Sequence, residues 1–149
     1  MRVPLMAAGA LVLCLAAAAC DEKLSELTGP TPNLQPTFSS IQHEIFEASD
    51  ASGRPACVNC HNGSRTFLPF SLNLTSTAAY ANLVGVASVE KRALLRVAPG
   101  DPDNSYLVHK LEGGPSIIGV RMPLNSPAFL TSGQMLVIRR WIAEGAQNN

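Results

Sequence analysis

The pattern of apolar and polar positions divides the chain into three parts. Residues 3–19 are almost wholly apolar, and Arg2 is the only charged residue before Asp21. Residues 21–37 are mostly polar and include three prolines, a composition typical of semi-extended linkers. Beyond this stretch, apolar residues recur at helical spacing. The pattern therefore predicts one folded domain over residues 38–149.

Four short helices are predicted in this domain. Helical periodicity, capping residues and turn-forming residues place them at residues 39–48, 77–84, 104–111 and 131–145. Capping-box spacing marks two of the starts, where Ser39 precedes Gln42 and Thr131 precedes Gln134. Residues 94–97 have the composition of a short strand, and the remaining residues are loop. The predicted fold class is therefore mainly α, with about four short helices and long loops.

The N-terminal apolar run is typical of an export signal. It is shorter than the roughly 20 apolar residues that a spanning helix needs, and small residues precede Cys20. A membrane-spanning helix is the alternative. Residues 15–20 (LAAAAC) resemble the lipobox of bacterial lipoproteins, although Ala17 stands where that pattern prefers Leu, and the same small residues also suit ordinary signal cleavage. The resemblance implies a signal peptide over residues 1–19 and a lipid on Cys20.

A lipid at this position would anchor the domain through residues 20–37, which act as the tether. The expected location is the periplasmic face of the inner or outer membrane.

Charge and cysteine content narrow the possible functions. The chain has 11 Lys and Arg against 11 Asp and Glu and only 5% aromatic residues, so it lacks the basic, aromatic surface that nucleic-acid binding requires. Of the four cysteines, Cys14 leaves with the predicted signal and Cys20 is predicted to carry the lipid. Cys57 and Cys60 remain as one closely spaced pair, so no disulfide can connect distant parts of the mature domain.

Cys57, Cys60 and His61 form the sequence C-x-x-C-H, which is the attachment signature of c-type haem. Two thiols on one helical turn can each form a thioether with one vinyl group of a haem, and the adjacent imidazole then coordinates the iron as the proximal ligand. A zinc site would need two more ligands, and His43 and His109 do not have zinc-finger spacing. A thioredoxin-like redox pair would need a strand before the motif. The motif therefore predicts one covalently bound haem c.

The second axial ligand of that iron has several candidates. Met122 lies in a predicted loop directly before Pro123, and such a loop can present a thioether to the iron. Met135 lies on the apolar stripe of the fourth predicted helix, where a methionine is usually part of the core. His109, on the third predicted helix, is the alternative to Met122.

The order of these features resembles class I cytochrome c: a helix, C-x-x-C-H, central helices, a Met-Pro loop and a final aromatic-bearing helix. Residues 95–107 and 139–146 also resemble planctomycete-type cytochrome c domains. The resemblance implies a small domain wrapped around one haem, with Phe46 and Trp141 meeting where the first and last helices cross. It further implies that a proline carbonyl, for which Pro69 is the nearest candidate, accepts a hydrogen bond from the proximal histidine.

These features predict a membrane-tethered monohaem cytochrome that passes single electrons between redox partner proteins. Histidine and methionine together fill both axial positions of the iron, so we expect an electron carrier rather than an enzyme with a small-molecule substrate. One alternative is a haem enzyme or gas sensor with an open or displaceable sixth ligand. Another is an electron-station subunit of a larger complex.

Overall fold

The protein is mainly helical, as predicted. The structure, a computed structural model, describes residues 33–64, 72–124 and 128–149. Its α-helices in these ranges are α1 (Phe38–Ile41), α2 (Ala79–Leu83), α3 (Tyr106–Glu112) and α4 (Ser132–Ala143). A π-helical turn, Gln42–Phe46, continues α1, and a 3₁₀ turn covers Cys57–Asn59. Loops with isolated β-bridges join these elements, and no β-strand occurs within the described ranges.

Several predictions concern residues that lie outside the described ranges. These are the signal peptide of residues 1–19, the lipid site at Cys20, most of the tether, and Pro69. Leu34, in the part of the tether that is described, is buried in the same core as the helices. In the described part of the chain, no helix has the length and apolar character needed to traverse a bilayer.

The start of α4 follows the predicted capping box. The backbone N–H of Gln134 donates to Thr131 Oγ1 at 3.1 Å, and the backbone N–H of Thr131 donates to Gln134 Oε1 at 3.0 Å. Ile138 and Ile142 are fully buried one turn apart, and this face packs against α1 and α3. Local sequence signals and tertiary packing therefore agree along α4.

The start of α1 differs from the prediction. Thr37, rather than Ser39, is the N-cap, and its Oγ1 accepts a hydrogen bond from the Ser40 backbone N–H at 3.3 Å. The Gln42 amide, assigned by spacing to a capping box, instead donates to the Leu74 carbonyl at 2.8 Å. Tertiary contacts select the earlier start, because it buries an aromatic residue immediately after the cap.

That aromatic residue is Phe38, and it contacts the last helix. Its ring centroid lies 5.5 Å from that of Trp141, which is itself fully buried. The expected partner of Trp141 was Phe46, which lies eight residues after Phe38, at the end of the π-helical turn. Phe46 is buried at a different place, where it lines a cavity.

The central segment is less regular than predicted. The short strand expected at residues 94–97 is reduced to isolated bridges, in which Leu95 pairs with Ala87 and Val97 pairs with Val84. α2 and α3 each begin two residues later than predicted. The segment between α2 and α3 nevertheless places several polar side chains on the wall of the cavity.

Candidate cofactor site

An apolar cavity of about 510 Å³ lies between the first helix, the C-x-x-C-H segment, α3 and the loop that follows α3. Its apolar walls include Phe46, Leu72, Leu74, Leu83, Leu107 and Leu111. The volume falls within the range of about 300–1,000 Å³ that is typical of cofactor and small-molecule sites. A largely apolar ligand would therefore be shielded from water here.

The structure brings four of the predicted site residues to this one cavity. Cys57, Cys60 and His61 line it together with Met122, which is distant from them in the sequence. The 3₁₀ turn determines the local arrangement of the first three, since the backbone N–H groups of Cys60 and His61 both donate to the Cys57 carbonyl, at 3.2 and 2.9 Å. Two thiols, an imidazole and a thioether therefore face the same space.

The other candidate ligands lie elsewhere. His109 is not among the described residues that line the cavity; its Nε2 donates to the Asp103 carbonyl at 2.6 Å. The side chain of His43 is 79% exposed beside the Glu44 carboxylate. Met135 is buried in the core on α4. Of the candidates for the distal ligand, the structure thus brings Met122 to the cavity that contains the motif.

Arg54 is a buried residue that sequence reasoning did not identify. Its side chain is fully buried, and its Nε donates to Asp50 Oδ2 at 2.9 Å. Its terminal nitrogens donate to the carbonyls of Ile45 at 2.9 Å and Ala48 at 3.1 Å. Arg54 therefore joins the end of the first helix to the loop that leads into the motif. An Asp-Arg pair four residues apart was the available signal, but the same spacing is common in exposed turns.

This cluster affects two ionisable groups. Burial alone would raise the pKa of Asp50, but hydrogen bonds from Ser52 and Arg54, together with the Arg54 charge, hold it below the ordinary value of 3.8. Burial raises the pKa of the Cys57 thiol, and the nearby Arg54 charge offsets only part of that effect. The Cys57 thiol also faces the Ile45 carbonyl at 3.6 Å, the same oxygen that Arg54 contacts. Cys57 is therefore held as a neutral thiol at neutral pH.

Among the described residues, the polar part of the cavity wall includes an arginine whose charge has no carboxylate partner. Glu90 and Lys110 form an ion pair at 3.2 Å. Arg96 also lines the cavity and donates to the Asn82 carbonyl at 2.8 Å, but it has no carboxylate partner in the described part of the chain. Burial lowers the pKa of Arg96. A ligand with an anionic group would compensate this charge.

In the described ranges, no group of three or more His, Cys, Asp or Glu side chains is arranged to hold a metal ion. The motif therefore lacks the additional protein ligands that a zinc site would require there.

A scan against protein-family models found no matching family, and searches of the curated proteins and of the solved structures found no match. Function must therefore be inferred from the residues that line the cavity.

Proposed function

We propose that this protein is a monohaem c-type cytochrome that transfers single electrons between redox partner proteins. One observation carries the proposal: the C-x-x-C-H residues and Met122 line the same apolar cavity. These residues supply the thiols that attach haem c and the nitrogen and sulfur donors that ligate its iron. In this proposal the helices and loops that form the cavity wrap around one haem.

The residues of the cavity suit this cofactor. The S–H bonds of Cys57 and Cys60 would add across the two vinyl groups and leave two thioethers. His61 would be the proximal ligand and Met122 the distal one. Arg96 would hold a haem propionate, since no carboxylate of the described residues pairs with its charge and a carboxylate–guanidinium pair is a strong interaction. When bound, the haem supplies a one-electron couple between ferric and ferrous iron.

The remaining walls of the cavity are mostly apolar. Apolar side chains around a haem favour the less charged, ferrous state and so raise its reduction potential. Methionine ligation acts in the same direction relative to a second histidine. Because His61 and Met122 would occupy both axial positions, the iron would have no open site for a substrate. These features support an electron carrier over an enzyme.

The N-terminal sequence supports a membrane location. We infer that residues 1–19 direct export, that Cys20 is acylated, and that the residues between Cys20 and Leu34, which is buried in the domain core, tether the domain at a periplasmic membrane face. The tether would raise the effective concentration of the domain near membrane-bound donors and acceptors. Electron transfer needs only brief encounters of small area with such partners.

The motif is tested by haem staining after denaturing electrophoresis. Protein matured in the bacterial periplasm should retain haem, and a variant with both Cys57→Ser and Cys60→Ser should not. A colourless mature protein with both thiols open to alkylation would refute the proposal.

The distal ligand is tested by spectroscopy. Ferric wild-type protein should show the weak near-infrared band of methionine-ligated iron, and ferrous protein should not change with carbon monoxide. Met122→Ala should abolish the band, whereas the matched variant Met135→Ala, which alters a core methionine on α4, should keep it. A carbon monoxide adduct in the wild type would instead favour an enzyme or a gas sensor.

A further inference from the structure

The loop that carries Met122 leaves three large apolar side chains about half exposed, although Met122 itself packs against the core. It leaves α3 at Gly113, and two of its large apolar residues, Ile118 and Val120, are 49% and 51% exposed. Leu124, just beyond Met122, is 54% exposed. Contacts among protein side chains therefore bury little of these three residues, two of which, Val120 and Leu124, line the cavity itself. Met122 would nevertheless need a fixed position to ligate an iron.

Polar contacts connect the loop to α3 instead. The Ile118 backbone N–H donates to Tyr106 Oη at 3.0 Å, and Lys110 Nζ donates to the Ile118 carbonyl at 2.9 Å. At the other end of the loop, the Met122 backbone N–H donates to the Lys110 carbonyl at 2.8 Å. Arg121 Nε donates to a further α3 carbonyl at 2.7 Å. The loop is therefore held at both ends by one face of α3.

Glu90 stabilises the two α3 side chains that make these contacts. Its carboxylate accepts a hydrogen bond from Tyr106 Oη at 2.6 Å and forms an ion pair with Lys110 Nζ at 3.2 Å. The side chains of Lys110 and Glu90 are only 13% and 11% exposed. Hydrogen bonds to charged groups are stronger than neutral ones, and partial burial strengthens them further. Glu90 thus fixes both groups that hold the Ile118 backbone, namely Lys110 Nζ as the donor and Tyr106 Oη as the acceptor.

We propose that Glu90, Tyr106 and Lys110 form a clamp that positions Met122 as the distal ligand of the iron. The clamp rests on the proposed function, because it acts on the residue assigned there as ligand. None of the three side chains is assigned to ligate the iron, so all three are positioning residues. When the clamp is weakened, the Met122 loop separates from the iron more often, and an external ligand gains access to that face.

Imidazole, which competes with methionine for ferric haem, is the probe for this opening. In the haem-bound protein, Tyr106→Phe removes the hydroxyl that joins Glu90 to Ile118. We expect about a tenfold tighter apparent affinity for imidazole, equivalent to about 1.4 kcal/mol, because the hydrogen bonds of Tyr106 Oη to Glu90 and to Ile118 are both lost. Glu90→Gln removes the ion pair with Lys110 and should have at least the same effect. The near-infrared methionine band should weaken in both variants.

Tyr80→Phe is the matched control. The Tyr80 hydroxyl also donates one hydrogen bond, to the Ala146 carbonyl at 3.0 Å, but that contact lies outside the loop that carries Met122. The imidazole affinity of the Tyr80→Phe variant should stay within about twofold of that of the wild type. Urea unfolding of all variants separates a loss of global stability from local opening of the loop.

The possible outcomes are distinct. An imidazole affinity that changes equally in Tyr106→Phe and Tyr80→Phe, or in neither, would overturn the clamp while haem staining still supports the proposed function. A wild-type protein without haem would overturn the proposed function and the clamp together. If Tyr106→Phe does not fold, Glu90→Gln decides the question by the same titration.

Discussion

Replacement of Arg54 by Met removes a buried guanidinium while keeping a side chain of similar length. The Arg54 side chain is 0% exposed, and that of its partner Asp50 is 3% exposed. The replacement would leave the Asp50 carboxylate without its cation. It would also leave the carbonyls of Ile45 and Ala48 without the donors that Arg54 supplies at 2.9 and 3.1 Å. The perturbation therefore leaves, beside the C-x-x-C-H segment, a buried carboxylate that keeps its hydrogen bonds from Ser52 but has lost its cation.

The expected cost follows from these contacts. Breaking a buried ion pair by removing one partner costs about 3–5 kcal/mol, and each orphaned buried acceptor costs about 1–3 kcal/mol. These penalties overlap, because the loop can relax to admit water once the guanidinium is gone, so we expect about 3–5 kcal/mol in total. A typical domain has a free energy of unfolding of about 5–15 kcal/mol. The variant should thus lose a large fraction of its stability.

Arg140 provides a matched control with the same chemistry on the surface. Its Nε donates to Glu144 at 2.8 Å with the same four-residue spacing, but its side chain is 65% exposed. Exposed pairs of this kind contribute about 0.3–0.5 kcal/mol. Arg140→Met should therefore leave the free energy of unfolding nearly unchanged.

Urea unfolding of the haem-bound protein, followed by far-ultraviolet circular dichroism, measures these differences. The double variant Asp50→Asn with Arg54→Met should recover part of the loss, because it no longer contains an orphaned carboxylate. Equal losses for Arg54→Met and Arg140→Met would refute the argument from burial. A double variant as unstable as Arg54→Met would refute the argument from the orphaned charge. If Arg54→Met does not fold, Arg54→Lys can be measured instead. Lysine keeps the positive charge but lacks the several N–H donors of the guanidinium, so this variant should show an intermediate loss of unfolding free energy.

Two further predictions concern charge. The pKa of Asp50 is lowered in the folded protein, so the ionised carboxylate stabilises the fold at pH values above the ordinary pKa of 3.8. This stabilisation is lost as the pH falls through the lower pKa of the folded state. The stability of Asp50→Asn should therefore depend less on pH below about 4, as measured by acid titration followed by circular dichroism. Arg96→Gln should lower the reduction potential measured by redox titration, because removal of a cation beside a haem disfavours the ferrous state. The exposed Arg92, which does not line the cofactor cavity, is the control for Arg96, and a potential unchanged in both variants would contradict the assignment.

Features with local signals were predictable from the sequence. The capping box at Thr131 and Gln134 formed as expected, since both of its hydrogen bonds join residues three apart. Met122 was preferred to Met135 as the methionine near the motif because their sequence settings differ. Met122 lies in a predicted loop directly before a proline, whereas Met135 lies on the apolar stripe of a predicted helix. The cavity agrees with that choice, because Met122 lines it and Met135 lies in the core.

Features that depend on burial were not predictable. A capping box was expected at Ser39, but α1 begins after Thr37, because contacts of Phe38 with Trp141 from the far end of the chain outweigh the local pattern. The role of Arg54 depends on carbonyls that the fold brings around it, and no spacing rule reveals them. The expectation that Phe46 meets Trp141 came from the resemblance to class I cytochrome c, whereas Phe38 is the ring that lies beside Trp141.

The walls of the cavity combine two kinds of interaction, each suited to a different requirement. Beside Cys57, Arg54 makes polar contacts with the end of the first helix, and beside Met122 the Glu90 clamp makes polar contacts with the loop. Hydrogen bonds are directional, whereas apolar packing tolerates small displacements. Covalent attachment and axial ligation both demand fixed side-chain positions, while a flat porphyrin needs only an apolar surface between them. Segments that polar networks already hold in place would need less ordering when the proposed haem binds. Polar contacts thus hold the segments that carry the proposed ligands, and apolar residues line the space for the faces of the porphyrin. We infer that this division adapts a small domain without a disulfide framework to the proposed haem.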